Sequence, residues 1–282
     1  MRWMGRRQSD NVEDVRGTTS RRVVGGGIGT LILVLLVWLL GGDPQQLLES
    51  MPQSNTATVQ TQPRSAEENQ MAQFVGVVLG DTEDVWNTLF QKAGQTYREP
   101  KLVLYTDAIQ SACGYGSAAT GPFYCPPDQK VYIDLSFFQE LRTEFGASGD
   151  FAIAYVIAHE IGHHVQNLLG ITGQIDRMRG RVSQAKYNQY SVALELQADF
   201  FAGVWAHHAE RMNKILEAGD IEEALNAASA VGDDRIQRRT QGYVVPDAFT
   251  HGSSRQRQYW FSKGFQTGDP NQGDTFAEMG LN

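Results

Sequence analysis

The sequence predicts an α+β fold in which helices dominate and surround a small sheet, behind one N-terminal transmembrane helix. Three observations predict it: several segments with apolar residues at helical spacing, two short runs of β-branched and aromatic residues, and one uncharged apolar stretch. The chain has 282 residues and only two cysteines, which excludes a disulfide-dense miniprotein. Its composition, 41% hydrophobic and 20% charged, also excludes a fibre and a polytopic membrane protein.

The N-terminal region predicts a membrane anchor. Residues 23–42 carry no charge, and a helix of this length crosses a hydrocarbon core of ~30 Å. Six arginines precede this stretch and the next basic residue is Arg64, so the positive-inside rule places residues 1–22 in the cytoplasm. We therefore expect a single-pass protein of the cytoplasmic membrane whose main domain is periplasmic or extracellular. A cleaved signal peptide is the alternative, but no A-x-A site follows the stretch.

The rest of the chain divides into a linker and a domain. Residues 43–66 are rich in Gln, Pro, Ser and Thr and contain no aromatic residue, which predicts a flexible linker. We expect the domain at residues 67–282. The chain has a formal net charge of −8 although residues 1–22 are basic, so the domain is strongly acidic. Because nucleic-acid binding depends on Lys and Arg that neutralise phosphates, we expect no nucleic-acid partner.

Local patterns predict seven elements in the domain. Apolar residues at helical spacing predict helices, and β-branched and aromatic clusters between turn signals predict strands. Asp81, Asp150 and Asp220 are suited to begin helices, and Gly170 is suited to end one. The predicted helices span 67–79, 81–92, 150–169, 188–208 and 220–231, and the predicted strands span 101–106 and 130–135.

The two cysteines, Cys113 and Cys125, lie in a Gly- and Pro-rich loop between the predicted strands. Two nearby cysteines outside the cytoplasm predict a disulfide rather than a metal-binding pair. Closing a loop of this size stabilises a fold by roughly 3 kcal/mol in the chain-entropy model. Two unpaired buried thiols remain the alternative.

The helix predicted at 150–169 contains the pattern His159-Glu160-x-x-His163. A spacing of four places both imidazoles on one helix face, where they can bind one Zn²⁺ at ~2.0–2.1 Å. Glu160 can then reach a water molecule at the metal and act as general base. Because burying these groups on an apolar helix is costly unless they are paired, the context favours a metal site over chance. The metzincin pattern is excluded, since Leu169 stands where its third histidine would be.

A third metal ligand is predicted on the helix at 188–208. Catalytic zinc keeps three protein ligands and one open position, and Glu195-x-x-x-Asp199 places two carboxylates one turn apart. Glu195 can complete the ligand set, while Asp199 can orient a ligating imidazole through its free N–H. An exposed acidic face is the alternative, but Leu194 and Phe200 make the surrounding helix apolar. We expect one Zn²⁺ per chain.

The segment after these helices supplies candidates for stabilising an oxyanion. His251 and Arg257 both carry donors suited to this role, although a solvated surface loop remains an equal alternative. His164 points about 100° away from His163 on the helix, so we do not expect it to bind the metal. His207 and His208 lie at a helix end, where the dipole favours a cation, and are not expected to be ligands.

Several separated motifs resemble the predicted neutral zinc metallopeptidase family of bacteria. They are HEIGHHVQ, ELQADFFAG, CGYGSAATGPFYCPPDQKVYID and THGSSRQRQYWFSKG, and the resemblance covers about residues 67–270. The Glu-x-x-Ala-Asp element is also similar to that of gluzincin peptidases such as the integral-membrane CAAX proteases. The resemblance implies a compact zincin-like domain with one zinc bound by three side chains, a Glu general base and an Asp behind the ligands. In this sequence the resemblance implies His159, His163 and Glu195 as the zinc ligands. It implies Glu160 as the general base and Asp199 as the residue behind the ligands.

The leading hypothesis is a membrane-anchored zinc-dependent peptidase that hydrolyses peptide bonds with a zinc-activated water and Glu160 as the base. The strand at 131–135 could bind an extended peptide by β-addition, or it could be purely structural. A catalytically inactive zinc-stabilised scaffold module of the cell envelope is the alternative, although a structural site has no need for the base. Another zinc hydrolase, such as an amidase of cell-wall peptides, is a third possibility. The sequence leaves open the substrate, endopeptidase or aminopeptidase action, and the oligomeric state.

Overall fold

Six strands are present in the computed structural model, which describes residues 1–17, 64–117 and 120–281. They are β1 (Val12–Asp14), β2 (Lys101–Tyr105), β3 (Ala108–Ser111), β4 (Gly114–Ser117), β5 (Phe123–Cys125) and β6 (Lys130–Asp134). Four of them form a sheet in the order β1-β2-β6-β5. β1 and β6 run parallel to β2, whereas β5 runs antiparallel to β6. β3 and β4 form a separate antiparallel hairpin.

The same residues form nine α-helices. They are α1 (Ala66–Lys92), α2 (Ser136–Thr143), α3 (Asp150–Leu168), α4 (Ile171–Asp176), α5 (Gln184–Asn213), α6 (Asp220–Ala230), α7 (Asp233–Gln241), α8 (Ser254–Thr267) and α9 (Thr275–Glu278). Short 3₁₀ helices span Pro246–Ala248 and Pro270–Gln272. The structure therefore confirms a helix-dominated α+β fold with a small sheet.

The sheet separates two apolar clusters because side chains alternate along each strand. Leu102 and Leu104 of β2 face the main core, which also contains the buried residues of α1, α3 and α5. Val103 and Tyr105 point to the opposite face and pack with Tyr132 and the hairpin residue Ile109. The main core thus lies between the sheet and the helices.

Helix α3 lies at the centre of the domain and is buried along most of its length, in agreement with its apolar sequence. It packs against α1, α5, α6 and strand β5. A Cβ atom at Gly162 would lie only 2.9 Å from the carbonyl oxygen of Ala198, so these small residues let α3 and α5 approach closely. The chain thus has small side chains where these two helices cross.

A second close crossing joins α5 and α8. A Cβ atom at Gly203 would lie 2.1 Å from the carbonyl oxygen of Phe261, and one at Gly264 would lie 2.1 Å from that of Phe200. Backbone therefore meets backbone at this crossing. This crossing fixes α8 against α5, and Arg257 lies on α8.

The helices predicted at 150–169, 188–208 and 220–231 correspond to α3, α5 and α6. The two helices predicted at 67–79 and 81–92 are instead the single helix α1. Gly80 does not break this helix; a Cβ there would lie 3.3 Å from the carbonyl oxygen of Arg7, so glycine admits the N-terminal segment. Asp81 therefore lies inside α1 and not at the start of a helix. Its buried carboxylate pairs with Arg6.

The N-terminal residues belong to the domain, which corrects the predicted separate segment at 1–22. Met1–Val15 and Ser65–Asn282 form one compact unit. The side chains of Arg6 and Arg7 bind the carboxylates of Asp81 and Glu83, with donor–acceptor distances of 2.6 and 3.2 Å. These acids are buried, and a buried carboxylate is costly unless it is paired. The arginines that suggested a cytoplasmic segment therefore stabilise the fold.

Strand β1 also constrains the predicted membrane topology. Hydrogen-bonded strands lie on the same side of any membrane, and β1 is paired with β2. Residues 1–15 therefore cannot lie in the cytoplasm if the domain lies outside the cell membrane. The location of the domain itself stays a prediction.

The predicted transmembrane helix at 23–42 lies outside the described residues, as does most of the linker predicted at 43–66. Among the helices within the described ranges, none has both the length and the apolar character needed to cross a membrane. The last part of the predicted linker begins α1. The Ser65 hydroxyl accepts a hydrogen bond from the Glu68 N–H, and the Glu68 carboxylate accepts one from the Ser65 N–H.

The predicted cysteine pair is a disulfide in the structure. Cys113 lies in the turn between β3 and β4, and Cys125 ends β5. The bridge therefore ties the hairpin to the end strand of the sheet. Of the two alternatives for the strand at 131–135, an edge for β-addition or a purely structural strand, the structure favours the second. β6 is paired with β2 along its length and with β5 at Lys130–Tyr132.

We predict that Gly203→Ala lowers the free energy of unfolding by about 1–3 kcal/mol or more, because its methyl group would overlap the Phe261 carbonyl. Gly173→Ala in α4 is the matched control, since its Cβ would lie 3.8 Å from the nearest side-chain atom, Nη1 of Arg177. The control should leave stability unchanged or raise it by up to about 1 kcal/mol. Urea titration of both variants measures this, and equal stabilities would contradict the close crossing.

Candidate metal centre

Two histidines of α3 and one glutamate of α5 meet in the interior of the domain. His159 Nε2 lies 3.2 Å from one carboxylate oxygen of Glu195, and His163 Nε2 lies 3.4 Å from the other. One candidate ligand atom from each of the three residues lies within 4.8 Å of the other two. The crossing at Gly162 brings this about, because it holds the two helix backbones in contact within three residues of each of these side chains.

These distances fit a zinc ion. Two ligand atoms that each lie ~2.0–2.1 Å from a tetrahedral metal are about 3.3 Å apart. The separations of 3.2 and 3.4 Å, from the two imidazole nitrogens to one Glu195 oxygen each, are close to this value. Two imidazoles and one carboxylate also leave a fourth position open, as catalytic zinc sites do.

Asp199 lies directly behind His159. Its Oδ1 atom accepts a hydrogen bond from His159 Nδ1 at 2.9 Å, which leaves the Nε2 lone pair facing Glu195. Asp199 is fully buried, and it is paired with Arg257 of α8 through two hydrogen bonds of 2.8 and 2.9 Å. The Tyr155 hydroxyl also donates to Asp199 Oδ1. The Asp199 carboxylate is therefore fixed from three sides.

The structure places Arg257 in the wall of the site rather than in solvent. The side chain is 5% exposed, and each of its three nitrogens has a partner: Nε and Nη2 on Asp199, and Nη1 on the Val231 carbonyl. Nη2 also lies 3.3 Å from His159 Nδ1. From this position Arg257 acts on His159 through Asp199, and it contributes a permanent positive charge to a buried acidic site.

Electrostatics in the site favour a bound cation. Burial alone would raise the pKa values of Glu195 and Asp199, yet the neighbouring His163 lowers that of Glu195 and Arg257 lowers that of Asp199. Burial likewise disfavours a charge on His159, but the Asp199 carboxylate outweighs it and raises the His159 pKa to about 9. In the metal-free site, protonated imidazoles therefore balance the charge of the Glu195 carboxylate. A divalent cation would replace the protons on the Nε2 atoms and supply this positive charge itself.

Glu160 follows His159 in α3 and lines the same cavity as the three candidate ligands. It is 8% exposed, and burial raises its pKa although His163 and His159 oppose this effect. The Tyr124 N–H of β5 also points at its carboxylate and favours the ionised form. Glu160 thus has access to the cavity while its proton affinity is raised, as a general base requires.

His251 also lines this cavity and is paired with an aspartate that the sequence analysis missed. Its Nδ1 lies 3.3 Å from Asp233 Oδ1, and the other oxygen of Asp233 accepts the backbone N–H groups of Thr250, His251 and Gly252. The side chain is 51% exposed, and Nε2 has no hydrogen-bond partner among the residues that the structure describes. Asp233 begins α7, and its sequence neighbourhood gave no sign of this pairing across 18 residues.

The cavity has a volume of about 430 Å³ and a mostly uncharged wall. β5 forms one side, with Phe123 and Tyr124, and β5 has no strand on its outer edge within the described ranges. Apart from the residues of the site itself, the lining side chains are neutral. They include Pro122, Pro126, Phe137, Val156, Thr172, Leu194 and Val231.

The histidines that were not expected to be ligands have structural partners. His164 is fully buried; its Nε2 donates to the Arg98 carbonyl at 2.6 Å and its Nδ1 accepts from the Tyr124 hydroxyl at 3.0 Å. His207 and His208 bind the carbonyl oxygens of Phe265 and Gly268. All three therefore stabilise the fold around the site.

Comparison with known proteins supports the resemblance that the motifs suggested. A family model described as "Putative neutral zinc metallopeptidase" matches residues 1–276. The chain is 49% identical over 288 residues to "Uncharacterized protein YpfJ" of Escherichia coli (strain K12), and the match covers 99% of each chain. It is 42% identical over 261 residues to "Uncharacterized protein Rv2575" of Mycobacterium tuberculosis (strain ATCC 25618 / H37Rv), with 86% of each chain covered. No solved structure matches the chain.

We predict that Asp199→Asn weakens zinc binding by about 10–100-fold, because the amide is a weaker acceptor for His159 Nδ1 and can present a donor instead. Asp176→Asn, at an exposed position of α4, is the control and should bind zinc like the wild type. Competitive chelator titration measures both affinities. Equal zinc affinity of Asp199→Asn and wild type would show that Asp199 does not orient the ligand.

Proposed function

The chain belongs to the neutral zinc metallopeptidase family, and on this basis we propose that it hydrolyses peptide bonds with a zinc ion held by His159, His163 and Glu195. The observation that carries this proposal is the shared cavity, in which the three candidate ligands and the carboxylate of Glu160 meet. When bound, zinc supplies a Lewis acid that polarises the scissile carbonyl and acidifies a water molecule.

Glu160 is the general base in this proposal. Its carboxylate takes a proton from the attacking water and passes the proton to the amine that leaves. Burial supports both steps, because it raises the pKa of Glu160 and so makes it a stronger base than an exposed glutamate. The zinc-stabilised scaffold alternative gives no reason for a buried carboxylate at this position.

The outer edge of β5 is the proposed binding surface for an extended peptide. Main-chain groups of an edge strand can pair with a substrate strand, while pockets beside it accept alternate side chains. Phe123 and Tyr124 of β5 line the cavity, and the Tyr124 N–H points at Glu160. A peptide along this edge would therefore pass the general base and the candidate ligands.

His251 is the proposed donor to the oxyanion that forms during hydrolysis. In this proposal His251 Nδ1 donates to Asp233 Oδ1 at 3.3 Å, with Thr250 Oγ1 at 2.9 Å from the same nitrogen. With one proton held on Nδ1, Nε2 carries a second proton only in the charged imidazole. The hydrogen bond from His251 to Asp233 raises the His251 pKa, and the Glu195 charge adds to this effect against burial. Both carboxylates thus maintain the charged form, which is the form that can donate from Nε2.

The domain is proposed to work in an oxidising compartment. Disulfides persist mainly in such compartments, and Cys113 is bonded to Cys125. Residues 1–15 would share that compartment, because β1 is part of the sheet. Membrane attachment through residues 23–42 stays a prediction.

We predict that Glu160→Gln keeps one zinc per chain and lowers kcat/KM on a peptide substrate by ~10²–10⁴-fold, because the amide cannot accept the water proton. Glu222→Gln on the exposed face of α6 is the matched control and should leave activity unchanged. Zinc content by elemental analysis and peptide release by mass spectrometry measure the two effects. Wild-type turnover in zinc-loaded Glu160→Gln would exclude Glu160 as the base.

We predict that Asp233→Asn moves the alkaline limb of the kcat/KM profile to lower pH. Asp233 raises the pKa of His251, so loss of the Asp233 charge lowers that pKa. The imidazole of the variant therefore loses its charge, and with it the Nε2 donor, at a lower pH than in the wild type. Asp247→Asn, which removes an exposed charge from the same loop, should leave the limb in place. An unshifted limb in Asp233→Asn would mean that His251 is not the titrating donor.

A further inference from the structure

A chain of buried amides lies behind His163, the second candidate ligand. His163 Nδ1 lies 2.9 Å from Oε1 of Gln166, which is on the same face of α3. Gln166 Nε2 donates to the Leu194 carbonyl at 2.6 Å and to Gln197 Oε1 at 3.1 Å. Gln197 Nε2 in turn donates to the Gly273 carbonyl at 2.8 Å. Both glutamines are buried, at 0% and 6% exposure.

Two backbone carbonyls fix the direction of this chain. A carbonyl only accepts hydrogen bonds, so the amide NH₂ of Gln166 must face Leu194 and that of Gln197 must face Gly273. The oxygen of Gln166 is then left to face His163 Nδ1. An oxygen at this place requires a donor, and the only hydrogen that His163 can offer there is on Nδ1.

We propose that Gln166 and Gln197 are positioning residues that fix the tautomer of His163, with the proton on Nδ1 and the lone pair of Nε2 directed toward Glu195. This inference rests on the proposed function, because it assigns the support of a candidate zinc ligand. The direction of the chain is set by the carbonyls of Leu194 and Gly273. The segment that follows α8 therefore contributes to the metal centre, although it has no ligand in it.

The two candidate ligands are thus supported by different chemistry. A carboxylate, Asp199, accepts from His159, whereas a neutral amide accepts from His163. A second carboxylate behind His163 would add a buried negative charge, which is costly unless a cation pairs with it. Among the described residues of the site, Arg257 is already paired with the Asp199 carboxylate. A neutral acceptor therefore orients His163 without a further cation.

Gly273 admits this arrangement through its lack of a side chain. A Cβ atom at this position would lie 2.4 Å from the Phe200 ring. The backbone can therefore approach α5 closely enough for its carbonyl to meet Gln197. Thr275 holds the same segment in place, since its hydroxyl donates to the Ala193 carbonyl at 2.6 Å.

The test compares full-length wild type with Gln166→Met, Gln166→Glu and Gln189→Met. Methionine has similar length to glutamine but no acceptor for an imidazole N–H, whereas glutamate keeps an acceptor. Gln189→Met makes the same change on the exposed part of α5 and is the control. Each protein is loaded with Zn²⁺ for chelator titration, which measures metal affinity. Each is also loaded with Co²⁺ for proton NMR, because paramagnetic Co²⁺ shifts the exchangeable N–H signals of its imidazole ligands far from the other proton signals.

We expect the wild type and Gln189→Met to show two such exchangeable signals, one from each ligating histidine. Gln166→Met should lose or broaden one of them and bind zinc about 10–100-fold more weakly. Gln166→Glu should retain both signals, because one carboxylate oxygen still accepts from His163 Nδ1. It should nevertheless bind zinc more weakly than the wild type, because its other oxygen would face the oxygens of Leu194 and Gln197. Because Gln166→Glu keeps the acceptor, it tests the inference even if Gln166→Met does not fold.

Two results would overturn the inference while leaving the zinc site intact. One is Gln166→Met with both signals and wild-type zinc affinity; the other is a folded Gln166→Glu that shows only one of the two exchangeable signals. A wild-type protein that binds neither metal would contradict the proposed function itself, and the inference would fall with it. The two failures are therefore distinguishable by the wild type alone.

Discussion

The close contact between α3 and α5 is the constraint on which the candidate site depends. Gly162 and Ala198 meet backbone to backbone, with no room for a side chain at Gly162. On α3, His159 lies three residues before Gly162 and His163 directly follows it; on α5, Glu195 lies three residues before Ala198 and Asp199 directly follows it. Wider separation of the helices would lengthen the distances between the imidazole nitrogens and the Glu195 carboxylate. The lack of a side chain at Gly162 therefore sets the distance between the helices, and this distance sets the size of the candidate metal site.

Charge is the second constraint, because Glu160, Glu195 and Asp199 bring three acidic groups into a buried space. The protein compensates for Asp199 with Arg257, which α8 supplies through its own close crossing with α5. Glu195 has no such cation and faces the two imidazoles instead. A divalent metal at this place would satisfy Glu195 and the imidazole lone pairs together. Asp199 is thus paired with Arg257 inside the fold, whereas Glu195 and the two imidazoles remain available to bind a metal.

Local patterns in the sequence predicted the parts of the site that lie on single helices. The spacing of His159 and His163 and that of Glu195 and Asp199 are properties of one helix each, and apolar periodicity located both helices. The missed features depend on contacts between distant segments. Strand β1 contains two acids and has no strand pattern of its own, so only its pairing with β2 identifies it. The arginines before it resembled a topology signal because their partners, Asp81 and Glu83, are more than 70 residues away. Asp233 and Gln166 were missed for the same reason, since their roles depend on His251 and on two backbone carbonyls.

The central claim is that one zinc ion is bound by His159, His163 and Glu195, with Asp199 outside the ligand set. Anomalous diffraction at the zinc absorption edge, from crystals of the zinc-loaded protein, tests this most directly. The account predicts one strong peak at ~2.0–2.2 Å from the Nε2 atoms of both histidines and from the Glu195 carboxylate, and farther than that from Asp199. A peak bound by Asp199 or His251 in place of Glu195, or one located away from α3, would contradict the account.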